Sequence, residues 1–340
     1  MTKKIAFIGC GNWAQQTYLP FFKNNSETEL VALSGLSKSA DDGQAIAEKL
    51  GFKTYYKSWQ EMLEKEKIDV AIITTPHAHH FEQIKMCLEK GVHVHVDKPP
   101  VLHAEEVRTL LDLAKKNSLI VSVHTQRRFY TEYQYVRDIL AQNGLGQIQF
   151  VGCDFGQELF SDFHGSWRSN PDLAGGGIMT DSGYHIIDSV MYMLNQPAVK
   201  EVVMLSNNGP FQADTFATLS VQLEDQTVVT FNVIRGLPKG MSQEKIQFVG
   251  EKGYITISRE GKNGAKTLKM SHYDLSGKLI KEMDDPTGKV DRVIPLRNFF
   301  ASLDGKEELL SPLSQAKVTI EVIEAGYDSV KKNELISLSN

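Results

Sequence analysis

At 340 residues the chain exceeds what one typical hydrophobic core accommodates, so two domains are expected. Hydrophobic residues at 41% and charged residues at 23% are ordinary globular usage, which excludes an extensively disordered chain. A net charge of −5 excludes the basic field that nucleic-acid binding needs, and no apolar run is long enough to span a bilayer.

The first predicted strand is Ile5-Ala6-Phe7-Ile8, and no apolar signal core or twin-arginine segment precedes it, so a cytoplasmic location is expected. The turn Gly9-Cys10-Gly11-Asn12-Trp13-Ala14 follows, opening a helix over 12–24 with a bend expected at Pro20. A glycine string of this kind is weak by itself, but its place after a strand and before a helix reads as a dinucleotide site. Gly9 permits the tight turn and Gly11 lets the pyrophosphate approach the backbone. Ala14, in the third glycine's place, is small enough for close helix–strand packing. The helix N-terminus adds N–H groups and a positive dipole end.

Leu30–Leu33 is the second strand. NAD sites usually carry an acidic residue at this point for the ribose 2′-hydroxyl. Here Ser34-Gly35-Leu36-Ser37-Lys38 stands instead, with no carboxylate before Asp41. Serine hydroxyls and a lysine suit a 2′-phosphate, so Ser34, Ser37 and Lys38 favour NADP, with NAD as the alternative. The pattern continues with a helix over 41–50 stopped by Gly51, a strand over 70–73, a helix over 80–90 stopped by Gly91, and a strand over 92–96. A helix over 104–117 and a strand over 119–123 complete it. Short apolar strands alternating with helices predict βαβ units around a parallel sheet.

The strand over 92–96 runs into Asp97-Lys98-Pro99-Pro100. The prolines restrict the backbone at the strand end, the edge where open α/β sheets bind ligands, so Lys98 is a candidate to hydrogen-bond a substrate oxygen. A solvated surface lysine is the plainer alternative. His77, His79 and His80 cluster without a carboxylate or cysteine to complete a set, and no metal is expected. His93 and His95 share one strand face and read as packing residues. Cys10, Cys87 and Cys153 have no CxxC spacing and read as reduced thiols.

Beyond about Val123 the rhythm changes. A helix over 131–142 precedes alternating segments at 147–155, 201–205, 216–223, 227–234 and 244–249, with a hairpin turn at Glu224-Asp225-Gln226. An amphipathic helix over 314–331 closes the chain. The expected fold is an α/β Rossmann dinucleotide-binding domain over 1–123, followed by an α+β domain over 124–340 with a large, mostly antiparallel sheet and helices on one face. Phe216, Leu219, Val221, Val229 and Phe231 add apolar side chains to that sheet, and an isologous sheet-to-sheet contact would bury them, so a homodimer or homotetramer is expected.

Within the second half, Gly175-Gly176-Gly177 precedes Asp181 and His185. On a helix these two are i and i+4 and project from one face. A histidine beside a carboxylate suits proton transfer near neutral pH, though a satisfied structural histidine is the commoner fate of a single one. The glycines would let the backbone pass close to a ligand. Phe155, Phe160, Phe163 and His164 either line a sugar pocket or simply pack.

The ordered set of Gly9–Ala14, Thr75-Pro76-His77 with His80, Asp97-Lys98-Pro99, Arg127-Arg128-Phe129, Trp167-Arg168, the triple glycine and Asp181-x-x-x-His185 resembles the glucose–fructose oxidoreductase / inositol dehydrogenase / MocA (Gfo/Idh/MocA) family over nearly the whole chain. Asp97 stands where the family usually has glutamate, His77 where asparagine is common, and Thr131 near a common proline. The resemblance implies an NAD(P)-dependent oxidoreductase moving a hydride between nicotinamide and a sugar, polyol or related cyclic alcohol or ketone. It implies Lys98 and His185 as the proton-transfer pair, with Asp181 supporting them or binding substrate. Arg127, Trp167 and Arg168 would approach the substrate, and Asn12, Trp13, Thr75, Pro76, His77, His80 and Asp97 would join the cofactor contacts. Competing readings are a cofactor-binding sensor without turnover and a dehydrogenase of a non-sugar carbonyl or dihydrodiol.

Overall fold

The computed structural model describes residues 2–23, 25–35, 40–158, 165–209, 211–262, 265–285, 287 and 291–338. They form two compact units. The first comprises Met1–Gln126 with Asp291–Ala316, the second Arg127–Val290 with Lys317–Asn340.

The first unit is built on six parallel strands: β1 (Lys3–Ile8), β2 (Thr28–Ser34), β3 (Thr54–Tyr56), β4 (Val70–Ile73), β5 (His93–Asp97) and β6 (Val121–His124). Their order is β3-β2-β1-β4-β5-β6, the doubly wound arrangement in which ligands bind beyond the carboxyl ends of the strands. Sheets covered on both faces need strands apolar on both faces, and Val70–Ile73 is buried at all four residues. The helix expected over 12–24 is two pieces, Asn12–Thr17 and Leu19–Lys23, broken at Tyr18.

The consecutive division at residue 123 needs correction, because Asp291–Ala316 packs with the first unit. Leu296, Phe299 and Phe300 of its helix Ile294–Leu303 lie in one apolar cluster with Phe7, Tyr18 and Phe22. The N–H of Val123 donates to the Ser311 carbonyl at 2.9 Å, and the Thr125 hydroxyl meets that of Ser311 at 2.6 Å.

The second unit holds a nine-stranded sheet in the order β14-β13-β12-β11-β7-β10-β9-β8-β15. Its strands are β7 (Ile148–Gln157), β8 (Val199–Asn207), β9 (Phe216–Leu223), β10 (Val228–Arg235), β11 (Met241–Gly250), β12 (Gly253–Lys262), β13 (Ala265–Asp274), β14 (Leu279–Asp285) and β15 (Ile336–Ser337). The β7–β10 pair is parallel and the remaining pairs are antiparallel.

The sheet's apolar residues divide differently from the expectation. Leu219, Val221, Val229 and Phe231 are buried on the inner face, where the helix Lys317–Lys332 packs; a methyl at Gly326 would lie 2.7 Å from Leu219 Cδ1. Only Phe216 of the five faces outward, sharing that face with Phe150, Val203, Leu205 and Val228 among threonines and asparagine.

Candidate active site

At the carboxyl end of β1, Gly9 adopts φ +81°, and a Cβ there would lie 3.0 Å from Thr75 Cγ2 and 3.1 Å from the Thr74 carbonyl. Its N–H donates to the Ser34 carbonyl at 2.8 Å, and the Thr74 hydroxyl donates to its carbonyl at 2.9 Å. The turn is thus laced to the ends of both neighbouring strands. Over Gly11, by contrast, a Cβ would meet nothing within 4 Å, while Ala14 is wholly buried. A tight Gly9, an open Gly11 and a buried small residue at 14 fit the division of labour in a dinucleotide turn. Asn12 is exposed and Trp13 half-buried; the Trp13 ring lies edge-on to His124 and beneath the Arg292 guanidinium.

Ser34 ends β2 only 2% exposed. Ser37 and Lys38 lie outside the described residues.

The end of β4 is held by its own histidine. His80 is fully buried, with Nε2 2.8 Å from the Thr75 carbonyl and Nδ1 2.8 Å from the Pro99 carbonyl. Both ring nitrogens therefore face protein oxygens. His80 is a bracket between the loops after β4 and β5. Burial pushes its pKa down to about 4, with the Lys98 charge contributing. The Thr75 hydroxyl donates to Gln83 at 2.6 Å, Pro76 caps the short turn His77–His79, and His77 is buried.

At the end of β5, Asp97 and Lys98 are half-buried and the Lys98–Pro99 peptide is cis. The hydroxyl of buried Tyr18 donates to the Asp97 carboxylate. Beneath it His95 is fully buried, with Nε2 3.1 Å from His124 Nδ1 and Nδ1 3.1 Å from the Ser122 hydroxyl. Lys98 thus projects from a strand end underpinned by a buried Tyr–His–His cluster.

In the second unit, Met179–Gly183 is one turn of π-helix, a form frequent at functional sites, and it continues into the helix Tyr184–Met193. From Gly177 to Met193 every residue is buried except His185, which is half-buried. The Asp181 carboxylate is shared by two guanidiniums, Arg235 at 3.1 Å and Arg168 at 3.4 Å. Arg168 also lies over the Trp167 ring at 4.5 Å. Arg168, whose side chain is partly exposed, pairs with Asp181 of its own unit. Arg127 is likewise committed internally, to buried Glu244, whose other oxygen takes the Tyr133 hydroxyl; Phe155 packs under Arg127. Phe160, Phe163 and His164 lie outside the described residues.

The sequence reading passed over Arg235, Asp214 and Tyr327. Arg235 did leave a signal: Val229, Phe231, Val233 and Arg235 form the inward face of β10, so a cation stands where alternation demands an apolar residue.

Residues 3–125 match the model of an oxidoreductase family with an NAD-binding Rossmann fold, and residues 133–256 match the GFO/IDH/MocA C-terminal domain. The chain belongs to the Gfo/Idh/MocA family. This oxidoreductase is 28% identical over 348 residues to D-glucoside 3-dehydrogenase of Escherichia coli, covering 98% of its own chain and 97% of the relative's. Its fold is shared with the aldose–aldose oxidoreductase of Caulobacter crescentus (TM-score 0.79, 18% identity, 99% and 100% of the two chains). It is shared also with the WlbA dehydrogenase of Bordetella pertussis, solved with NADH and UDP-GlcNAcA (TM-score 0.81, 17% identity, 100% of both chains). Among the described residues no helix is long and apolar enough to cross a membrane.

Proposed function

We propose that this oxidoreductase oxidises and reduces a secondary hydroxyl of a sugar or glycoside, with Lys98 and His185 as its catalytic groups. The observation that carries the reading is the exposure pattern around His185. Along seventeen residues of turn and helix His185 alone is only half-buried, in the chain segment where the family resemblance implies the proton-transfer histidine. The hydride acceptor or donor is supplied by nicotinamide when it is bound. A ring nitrogen of His185 takes the hydroxyl proton during oxidation and returns it during reduction. Nζ of Lys98 donates a hydrogen bond to the same oxygen and stabilises its gain of negative charge. The similarity to D-glucoside 3-dehydrogenase supports a glycoside or related sugar as substrate.

NADP(H) is the preferred cofactor in this reading, because the chain from Ser34 to Ser39 carries hydroxyls and a lysine and no carboxylate. The protein assembles as a homodimer or homotetramer through the outer sheet face, on which Phe150, Val203, Leu205, Phe216 and Val228 are exposed. Light scattering tests the assembly, and a monomer of 38.1 kDa at micromolar concentration would refute it. The activity is tested with a panel of glycosides, free sugars, polyols and a dihydrodiol, read by nicotinamide absorbance with both cofactors. Turnover of glycosides or sugars is expected; turnover of the dihydrodiol alone would overturn the substrate class.

A further inference from the structure

The triple glycine before His185 is tight against protein. A Cβ on Gly177 would lie 2.3 Å from the Asp214 carbonyl oxygen, and one on Gly176, at φ +136°, 2.5 Å from Tyr327 Cζ. Three successive N–H groups at this point donate to remote partners. Gly177 donates to the Tyr327 hydroxyl at 2.8 Å, Ile178 to the Asp214 carbonyl at 2.8 Å, and Met179 to the Asp214 carboxylate at 3.2 Å. The Tyr327 hydroxyl donates in turn to the other Asp214 oxygen at 2.8 Å. A helix normally finds such partners in its own N-cap side chain. Here they come from a loop and from the last helix, 35 and 150 residues along the chain.

We infer that Asp214 and Tyr327 are positioning residues for the alcohol chemistry, acting through this external cap on the π turn that carries Asp181 and leads to His185. The inference rests on the reading of His185 given above. The same loop also fixes Asp181's partner, because the Thr215 carbonyl accepts the Arg235 N–H at 2.8 Å. One loop therefore sets the backbone on both sides of the Asp181–Arg235 pair. Losing the cap leaves the helix and its buried face in place but frees the turn to shift, and small displacements of reacting groups are costly in rate.

The test compares Tyr327→Phe and Asp214→Asn with Ser329→Ala. Ser329 lies on the same helix and is also buried, accepting from the Met204 N–H at 3.2 Å and donating to the Glu334 carbonyl at 2.7 Å, but it does not touch the turn. Thermal stability, cofactor Kd, kcat, the sugar KM and the pH–rate profile are measured for each folded variant. Both cap variants should lose roughly tenfold to a hundredfold in kcat and shift the near-neutral limb of the profile, with cofactor Kd unchanged. Ser329→Ala should lose stability only. Should Tyr327→Phe not fold, Asp214→Asn carries the same test. Wild-type kcat and pH profile in the folded cap variants, beside a slow His185→Asn, would overturn the positioning role alone. Wild-type turnover in His185→Asn would instead overturn the reading of His185, and a loss in Tyr327→Phe would still tie the cap to the site.

Discussion

The strand end that presents Lys98 rests on histidines that are buried uncharged, and this predicts acid sensitivity of the first unit. His124 is 2% exposed and its ring faces Trp13, Tyr18 and His95. The N–H···N contact between His95 and His124 needs one bare ring nitrogen, so the pair cannot carry two charges. Burial pushes the His124 pKa down to about 3 and that of His95 well below the usual value, against 6.5 for an ordinary histidine. A depressed folded-state pKa means that the unfolded chain binds the proton more readily. The stabilisation is therefore present above pH 6.5 and is lost as pH falls toward 3. Between about pH 7.5 and about pH 5 the loss is roughly 1.5 pH units' worth of proton binding, or about 2 kcal/mol, for His124. Urea midpoints followed by tryptophan fluorescence at the two pH values measure the drop. His124→Gln, which no longer titrates, should show a drop smaller by about 2 kcal/mol. Equal drops in wild type and His124→Gln would refute the reasoning.

Lys98→Met should bind cofactor normally while turnover on the best substrate falls on the order of a hundredfold, because a donor to the charged oxygen is lost; stopped-flow and equilibrium fluorescence separate the two effects. His185→Asn should lower turnover by about 10²–10⁴ and flatten the pH–rate profile near neutrality. Ser34→Asp should erase or reverse a preference for NADP(H), read by calorimetric titration of both cofactors, and tighter binding of NAD(H) by wild type would refute the loop argument. Asp188→Ala should destabilise by roughly 3–5 kcal/mol in denaturant titration, since it leaves the Arg128 guanidinium, now bound by both Asp188 oxygens at 2.6 and 3.0 Å, buried without that carboxylate.

The first unit was legible because strands buried on both faces must be short, continuous apolar runs, and Ile5–Ile8 and Val70–Ile73 are such runs with turn residues after them. The glycine turn was legible for the same local reason. The strand β14 was not, since it is largely exposed and its sequence Leu279–Asp285 alternates no apolar face. The return of Ile294–Leu303 to the first unit is a tertiary fact: its phenylalanines say that it is buried, not against what. Asp181 and His185 are proposed from their spacing and the family resemblance, but spacing reveals only neighbours along a helix. Arg235, which pairs with Asp181 from 54 residues away, and Asp214 with Tyr327 come from other elements. Gly176 and Gly177 do allow close approach, and among the atoms they admit are those of Tyr327 and Asp214.

The charges around Asp181 bear on which group moves the proton. A carboxylate accepts a proton readily when it is desolvated without a cation and poorly when cations surround it. Asp181 has Arg235 at 3.1 Å, wholly buried, and Arg168 at 3.4 Å. Protonating it would forfeit its attraction to both guanidiniums, a change costly in a low-dielectric interior. Asp181 is thereby suited to hold its charge and to fix the turn and the two arginines, and ill suited to act as the base. His185, four residues on, is half-buried where the residues around it are buried. Neutralising Asp181 as Asp181→Asn should accordingly disturb stability and substrate affinity while a near-neutral limb of the pH–rate profile survives. Loss of that limb in folded Asp181→Asn, with the limb retained in His185→Asn, would exchange the two roles.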